Sequence, residues 1–130
     1  MNLKKISLAT VLIMALAGCA KTVLQKDYND NQFAQITNKL HTVEQTEKYI
    51  KRACAQLGWN CVSKDAKTIR GELLIRTHTL VVDIEYDNEQ FSIKYVDSTN
   101  LKYNGKTIHR QYDNWVLNLI RHINKESITE

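Results

Sequence analysis

Proline is absent from these 130 residues, and glycine occurs only four times. Chain reversals must therefore fall to a few Gly, Asn and Asp positions. Cysteine is scarce too: Cys19, Cys54 and Cys61 are the whole set, and none forms a C-x-x-C pair. That spacing argues against redox catalysis. The four histidines, His41, His78, His109 and His122, lack the i, i+4 or Cys/His spacing of a metal site. No G-x-S-x-G elbow is present for a nucleophilic serine. The longest apolar run, Ile6 to Gly18, is too short to cross a bilayer as a helix. The formal charge is +4, but the signs alternate along the chain. No Lys/Arg block stands out that would bind nucleic acid or anionic headgroups. There is no internal repeat and no low-complexity tract.

What is present begins with the amino terminus. Lys4 and Lys5 precede the apolar run, and the run closes on Leu16-Ala17-Gly18-Cys19. A basic start, a short apolar stretch and small residues at its end are the parts of an export signal. These residues resemble the signal peptide and lipobox of bacterial lipoproteins. The resemblance implies cleavage before Cys19, with residues 1–18 removed, and a lipid on the Cys19 sulfur. Thiolate chemistry suits that role. Ala20 in place of Asp resembles an outer-membrane sorting signal. The expected location is the periplasmic face of the outer membrane. Loss of Lys4 and Lys5 would leave 16 basic against 14 acidic residues, so part of the high isoelectric point belongs to the discarded segment.

Residues 19–40 are polar and without clear period, and they read as a lipidated tether. A flexible coil of about 20 residues spans roughly 25 Å. Phe33, Ile36 and Leu40 have helical spacing, so its second half would dock on the domain that follows, residues 41–126. Thr42-Val43-Glu44-Gln45 is a capping box, and Gly58 is the expected stop of a helix over 43–57. Period-two alternation follows at 59–63, 68–76, 80–86 and 91–96, with a turn at Asp87-Asn88-Glu89. Ile108, Tyr112, Trp115, Val116, Leu119, Ile120 and Ile123 predict a second helix over 108–124. The expectation is an α+β domain of order α-β-β-β-β-α. A four-stranded antiparallel meander would carry both helices on one face.

The run Ser98-Thr99-Asn100-Leu101-Lys102-Tyr103, with Ile108-His109 and Tyr112 to Trp115, is similar to a pattern of small uncharacterised bacterial lipoproteins. That resemblance brings no activity and no functional residue with it.

Four groups of candidate residues emerge. Cys54 and Cys61 form an even pair in an oxidising compartment, as a disulfide at the helix-to-sheet corner or as two buried thiols. His78, Asp97, Ser98 and His109 would meet as a weak polar cluster, structural or catalytic. Leu74, Val81 and Val96 lie on the charged outer sheet face and suggest a docking patch, against the plainer reading of a solvated face. Tyr103 is a further binding candidate in the irregular loop, whereas Tyr95, Tyr112 and Trp115 read as core.

The function this supports is a lipid-anchored, non-enzymatic binding or envelope-assembly module. Its expected partners are the membrane, through Cys19, and an envelope protein or cell-wall polymer. No nucleic acid, cofactor or metal is expected. The alternatives are a small cell-envelope hydrolase using the polar cluster, and an inhibitor of an envelope-directed enzyme acting through loop 97–107.

Overall fold

The computed structural model describes residues 21–33 and 40–129. The elements, in chain order, are β1 (Thr22–Leu24), β2 (Tyr28–Gln32), α1 (Val43–Leu57), β3 (Asn60–Asp65), β4 (Thr68–Ile75), β5 (His78–Tyr86), β6 (Gln90–Thr99), β7 (Thr107–His109) and α2 (Gln111–Thr129). A five-stranded antiparallel sheet has the order β2-β6-β5-β4-β3, and β1 pairs with β7 in a separate two-stranded ribbon. The α+β class agrees with the sequence pattern. The strand count does not: the meander β3 to β6 gains β2 at its edge, and the β1–β7 ribbon is additional.

Helix α1 follows from its ends. The Thr42 hydroxyl accepts from the Gln45 N–H at 3.1 Å, and the Gln45 side chain accepts from the Thr42 N–H at 2.8 Å. Two otherwise orphaned donors are thereby satisfied. Gly58 ends the helix at φ 79, a left-handed conformation that glycine adopts without a Cβ clash. Tyr49, Ile50, Ala53 and Cys54 are buried on its inner face.

Alternation along the strands sorts the sheet into two faces. Ile69, Leu73, Leu80, Val82, Ile84, Phe91 and Ile93 are buried on the inner face. They meet α1 and the α2 stripe of Tyr112, Val116, Leu119, Ile120 and Ile123 in one core cluster. Among the described residues no helix is long and apolar enough to cross a membrane.

The helix expected from residue 108 begins at Gln111 instead. Ile108 is fully buried, but in β7, paired with Val23. A strand residue placed just before a helix can face the same core as the helix, so Ile108 mimics the helical period.

The expected tether differs most. Residues 22–24 and 28–32 are strands, so the folded body reaches well upstream of residue 41. The sequence of β2, Tyr-Asn-Asp-Asn-Gln, shows no apolar alternation because hydrogen bonds secure it instead. The Asn31 amide donates to the carbonyls of Tyr28 and Phe91, each at 3.0 Å. Asp30, at φ 56, donates its N–H to the Ser92 hydroxyl at 3.0 Å. Tyr28 donates its hydroxyl to Asp113 on α2, and Phe33 is buried in the core. Ile36 lies outside the described residues, and Leu40 is exposed.

Cys54 and Cys61 are bonded, with their Cα atoms 6.2 Å apart. The bridge joins the last turn of α1 to β3, across the reversal at Gly58. Closing a loop of this size removes about 2.5 kcal/mol of entropy from the unfolded chain.

Candidate functional site

Chemistry-bearing side chains gather at the end of the sheet formed by the β4–β5 turn, the loop 100–106 and the start of α2. A β-bulge prepares this end. Val81 faces Asp97 while Val82 faces Tyr95, so Val96 is the extra residue in β6. Across the bulge, Ser98 and Tyr95 place their hydroxyls 2.6 Å apart. The Tyr95 ring lies against Tyr103, with centroids 4.4 Å apart, and meets Tyr112 edge-on at 6.0 Å.

The next residues hold unusual backbone angles. Asn100 and Lys102 stand at φ 60 and φ 54, on either side of the buried Leu101. Asn tolerates this region better than lysine does. Neighbouring bonds fix the pair. The Asn100 amide donates to the Thr77 hydroxyl at 2.8 Å, and His109 donates its N–H to the Leu101 carbonyl at 2.8 Å. The Asn104 side chain accepts from the N–H groups of Lys106 and Thr107. Leu101 thus plugs the loop into the core.

The two histidines are opposites. His78 Nδ1 lies 2.7 Å from the Asn100 carbonyl, which can only accept, so this nitrogen carries the proton. His109 Nδ1 accepts from the Gln111 N–H at 3.1 Å and so satisfies a donor at the start of α2. Burial and the surrounding Lys102, His78, Arg110 and Lys21 hold the His109 pKa below the ordinary imidazole value. Burial pushes the Tyr112 hydroxyl up to about 12. That hydroxyl donates to the Lys26 carbonyl at 2.7 Å and fastens the β1–β2 connection to α2.

These bonds leave no link between a nucleophile and a base. Ser98 is bonded to Tyr95 rather than to a histidine. Asp97, paired with Val81, is exposed on the other side of the strand, and its carboxylate accepts from the Ser98 N–H at 2.8 Å. Trp115 stands beside the His78 ring at 6.2 Å. Each of the four is held by a separate structural bond, and Asp97 and Ser98 bond to neither histidine. Among the described residues, no three His, Cys, Asp or Glu side chains converge on a position that would hold a metal.

The outer sheet face has two halves. One is ion-paired: Arg70 grips Asp83 through two bonds of 3.0 and 3.2 Å, Lys64 reaches the same carboxylate at 3.2 Å, and Lys94 meets Glu85 at 2.7 Å. Arg70 first, with help from Lys64, holds the Asp83 pKa below its usual value against the opposing effect of burial. The other half carries the expected apolar residues on three adjacent strands. Leu74 is 70% exposed and Val96 39%, with the half-buried Val81 between them on β5. Val62, 59% exposed and opposite Arg70, adds an apolar residue that sequence reasoning passed over. The strand alternation in β3 was the available signal for it. Tyr103 is 40% exposed and held by Tyr95. Cys19 lies outside the described residues.

No family model matches the chain, and no curated protein or solved structure matches it.

Proposed function

We propose that this chain is a lipid-anchored, non-enzymatic binding module of the bacterial envelope. Its anchor is the lipid on Cys19, and its place is the periplasmic face of the outer membrane. The open sheet face presents Leu74, Val81 and Val96 to another envelope component, a protein or a cell-wall polymer. The observation that carries this reading is the division of labour in the fold. Both helices cover one sheet face, while the other leaves Leu74 and Val96 exposed on β4 and β6 with the half-buried Val81 between them on β5. Apolar side chains left exposed on neighbouring strands of an uncovered sheet face suit a docking surface. The hydrogen bonds of Ser98, Asp97, His78 and His109 favour binding over hydrolysis, because each group serves the backbone or a neighbouring hydroxyl.

The test is site-specific photo-crosslinking in intact cells. Probes at positions 74, 81 and 96 should give one shared adduct, and a probe at Lys48 on α1 should not give it. Leu74→Asp should abolish the adduct formed from position 96. Adducts that are the same from all four positions, or that persist in Leu74→Asp, would overturn the docking surface.

A further inference from the structure

The basic residues that alternate with acids along the sequence are brought together by the β1–β7 ribbon. Thr22 pairs with His109, and Leu24 with Thr107. Arg110 donates its N–H to the Lys21 carbonyl at 3.1 Å, and Gln25 donates its N–H to the Lys106 carbonyl at 2.9 Å. Lys21, Lys106 and Arg110 therefore stand on one two-stranded ribbon, although 85 or more positions separate the first from the others. Lys102 joins them. After burial, the charges that lower the His109 pKa are those of Lys102, Arg110 and Lys21, together with His78. All four basic side chains are exposed, as are Leu24 at 63% and Tyr103 at 40%. Asp27 and Asp113, on the adjoining β1–β2 connection and α2, offset two of these four positive charges and leave the end net positive. Asp27 accepts from the Tyr95 N–H and the Gln25 amide, and Asp113 accepts from Tyr28.

We infer that this end of the domain is its membrane-contacting surface, where Lys21, Lys102, Lys106 and Arg110 take the phosphate groups of anionic phospholipid. The inference rests on the proposed lipid at Cys19 for its geometry. Only Ala20 and Lys21 separate Cys19 from the first strand, so the ribbon stands within about 10 Å of the lipidated residue. A 20-residue coil would have let the domain turn freely. A two-residue link instead holds one end against the headgroups. The charge there is positive, as an anionic surface requires. Leu24 and Tyr103 supply apolar and amphipathic contact at the headgroup level. Each cation near an anionic surface contributes roughly a fivefold gain in partition, and salt screens it over about 8 Å.

The experiment uses the full chain extracted from membranes of the native host. Intact mass first reads the state of Cys19, which tests the anchor separately. The protein is then placed in vesicles of phosphatidylcholine alone, or with three parts in ten phosphatidylglycerol. Acetylation rates are read lysine by lysine. Lys21, Lys102 and Lys106 should slow at least fivefold in the anionic vesicles, and 0.5 M salt should restore them. Lys48 and Lys67, away from this end, should not change. If Cys19 bears no lipid, the same protein is tested by vesicle sedimentation. The triple variant Lys102→Gln/Lys106→Gln/Arg110→Gln should then lose roughly 100-fold in partition, with an unchanged urea midpoint. Equal acetylation in both vesicles, protection shared by Lys48 and Lys67, or equal sedimentation of the variant would each overturn the inference.

Discussion

Replacing Gly71 by alanine sets two general rules against each other. Gly71 is buried in the middle of β4, between Cys61 on β3 and Val82 on β5. Backbone entropy alone favours Gly71→Ala by about 0.5–1 kcal/mol. The site opposes it. A methyl group there would meet Cys61 Sγ at 3.2 Å, Trp59 Cε3 at 3.3 Å and Val82 Cγ2 at 3.3 Å. None of these can withdraw easily. Cys61 is bonded to Cys54, and Trp59 and Val82 are buried in the core. Overpacking of this kind costs about 1–3 kcal/mol, so the net expectation is a loss of about 1–2 kcal/mol. Urea denaturation with an unchanged slope measures it directly. The sulfur supplies the closest contact, so Gly71→Ala should cost less than about 0.5 kcal/mol in a Cys54→Ala/Cys61→Ala background. That background itself should be about 2.5 kcal/mol less stable. Gly71→Ala as stable as the parent, or a penalty unchanged in the cysteine-free background, would refute the reasoning.

Other outcomes follow from the same contacts. Val23→Asp should cost about 2 kcal/mol in urea denaturation, because Val23 packs on the core, whereas a tether residue would change stability by less than about 0.5. Leu101→Ala should cost about 2–4 kcal/mol, since the side chain is buried at 1% exposure between two left-handed residues. Asp83→Asn should lose about 0.5–1 kcal/mol at pH 7. The folded Asp83 pKa is depressed, so the gap between parent and variant should hold above the ordinary value of 3.8. As pH falls through 3.8 toward the folded value, that gap should close, which urea midpoints at pH 7 and pH 2.5 would show. Leu74→Asp should leave the urea midpoint within about 0.5 kcal/mol, because the side chain is 70% exposed.

How much of this was legible in the sequence depends on what holds each element. Helix α1 rests on local signals, Thr42 and Gln45 at one end and Gly58 at the other, and its bounds come out as expected. Strands β4 to β6 alternate because one face is buried, so their faces could be assigned residue by residue. The Cys54–Cys61 pairing follows from a short reversal. Strands β1 and β2 gave no such signal. β1 is three residues long, and β2 is polar and fixed by Asn31 and Ser92 from outside its own pattern. Ile108 misled because strand and helix share a core. Alternation placed Leu74, Val81 and Val96 on the outer sheet face. The routing of His78 to Asn100 and of Ser98 to Tyr95 depends on a bulge and two left-handed residues, which no local pattern announces. The basic end was hidden for a plainer reason: Lys21 and Arg110 meet only through strand pairing.

We propose that a lipid at Cys19 fastens this domain to a membrane. Intact mass spectrometry of the protein extracted from the outer membrane tests it most directly. The expected mass is that of a chain beginning at Cys19 with a diacylglyceryl group attached, two hydrogens short of the reduced mass because of the Cys54–Cys61 bond. A soluble, lipid-free chain with residues 1–18 still attached would contradict it.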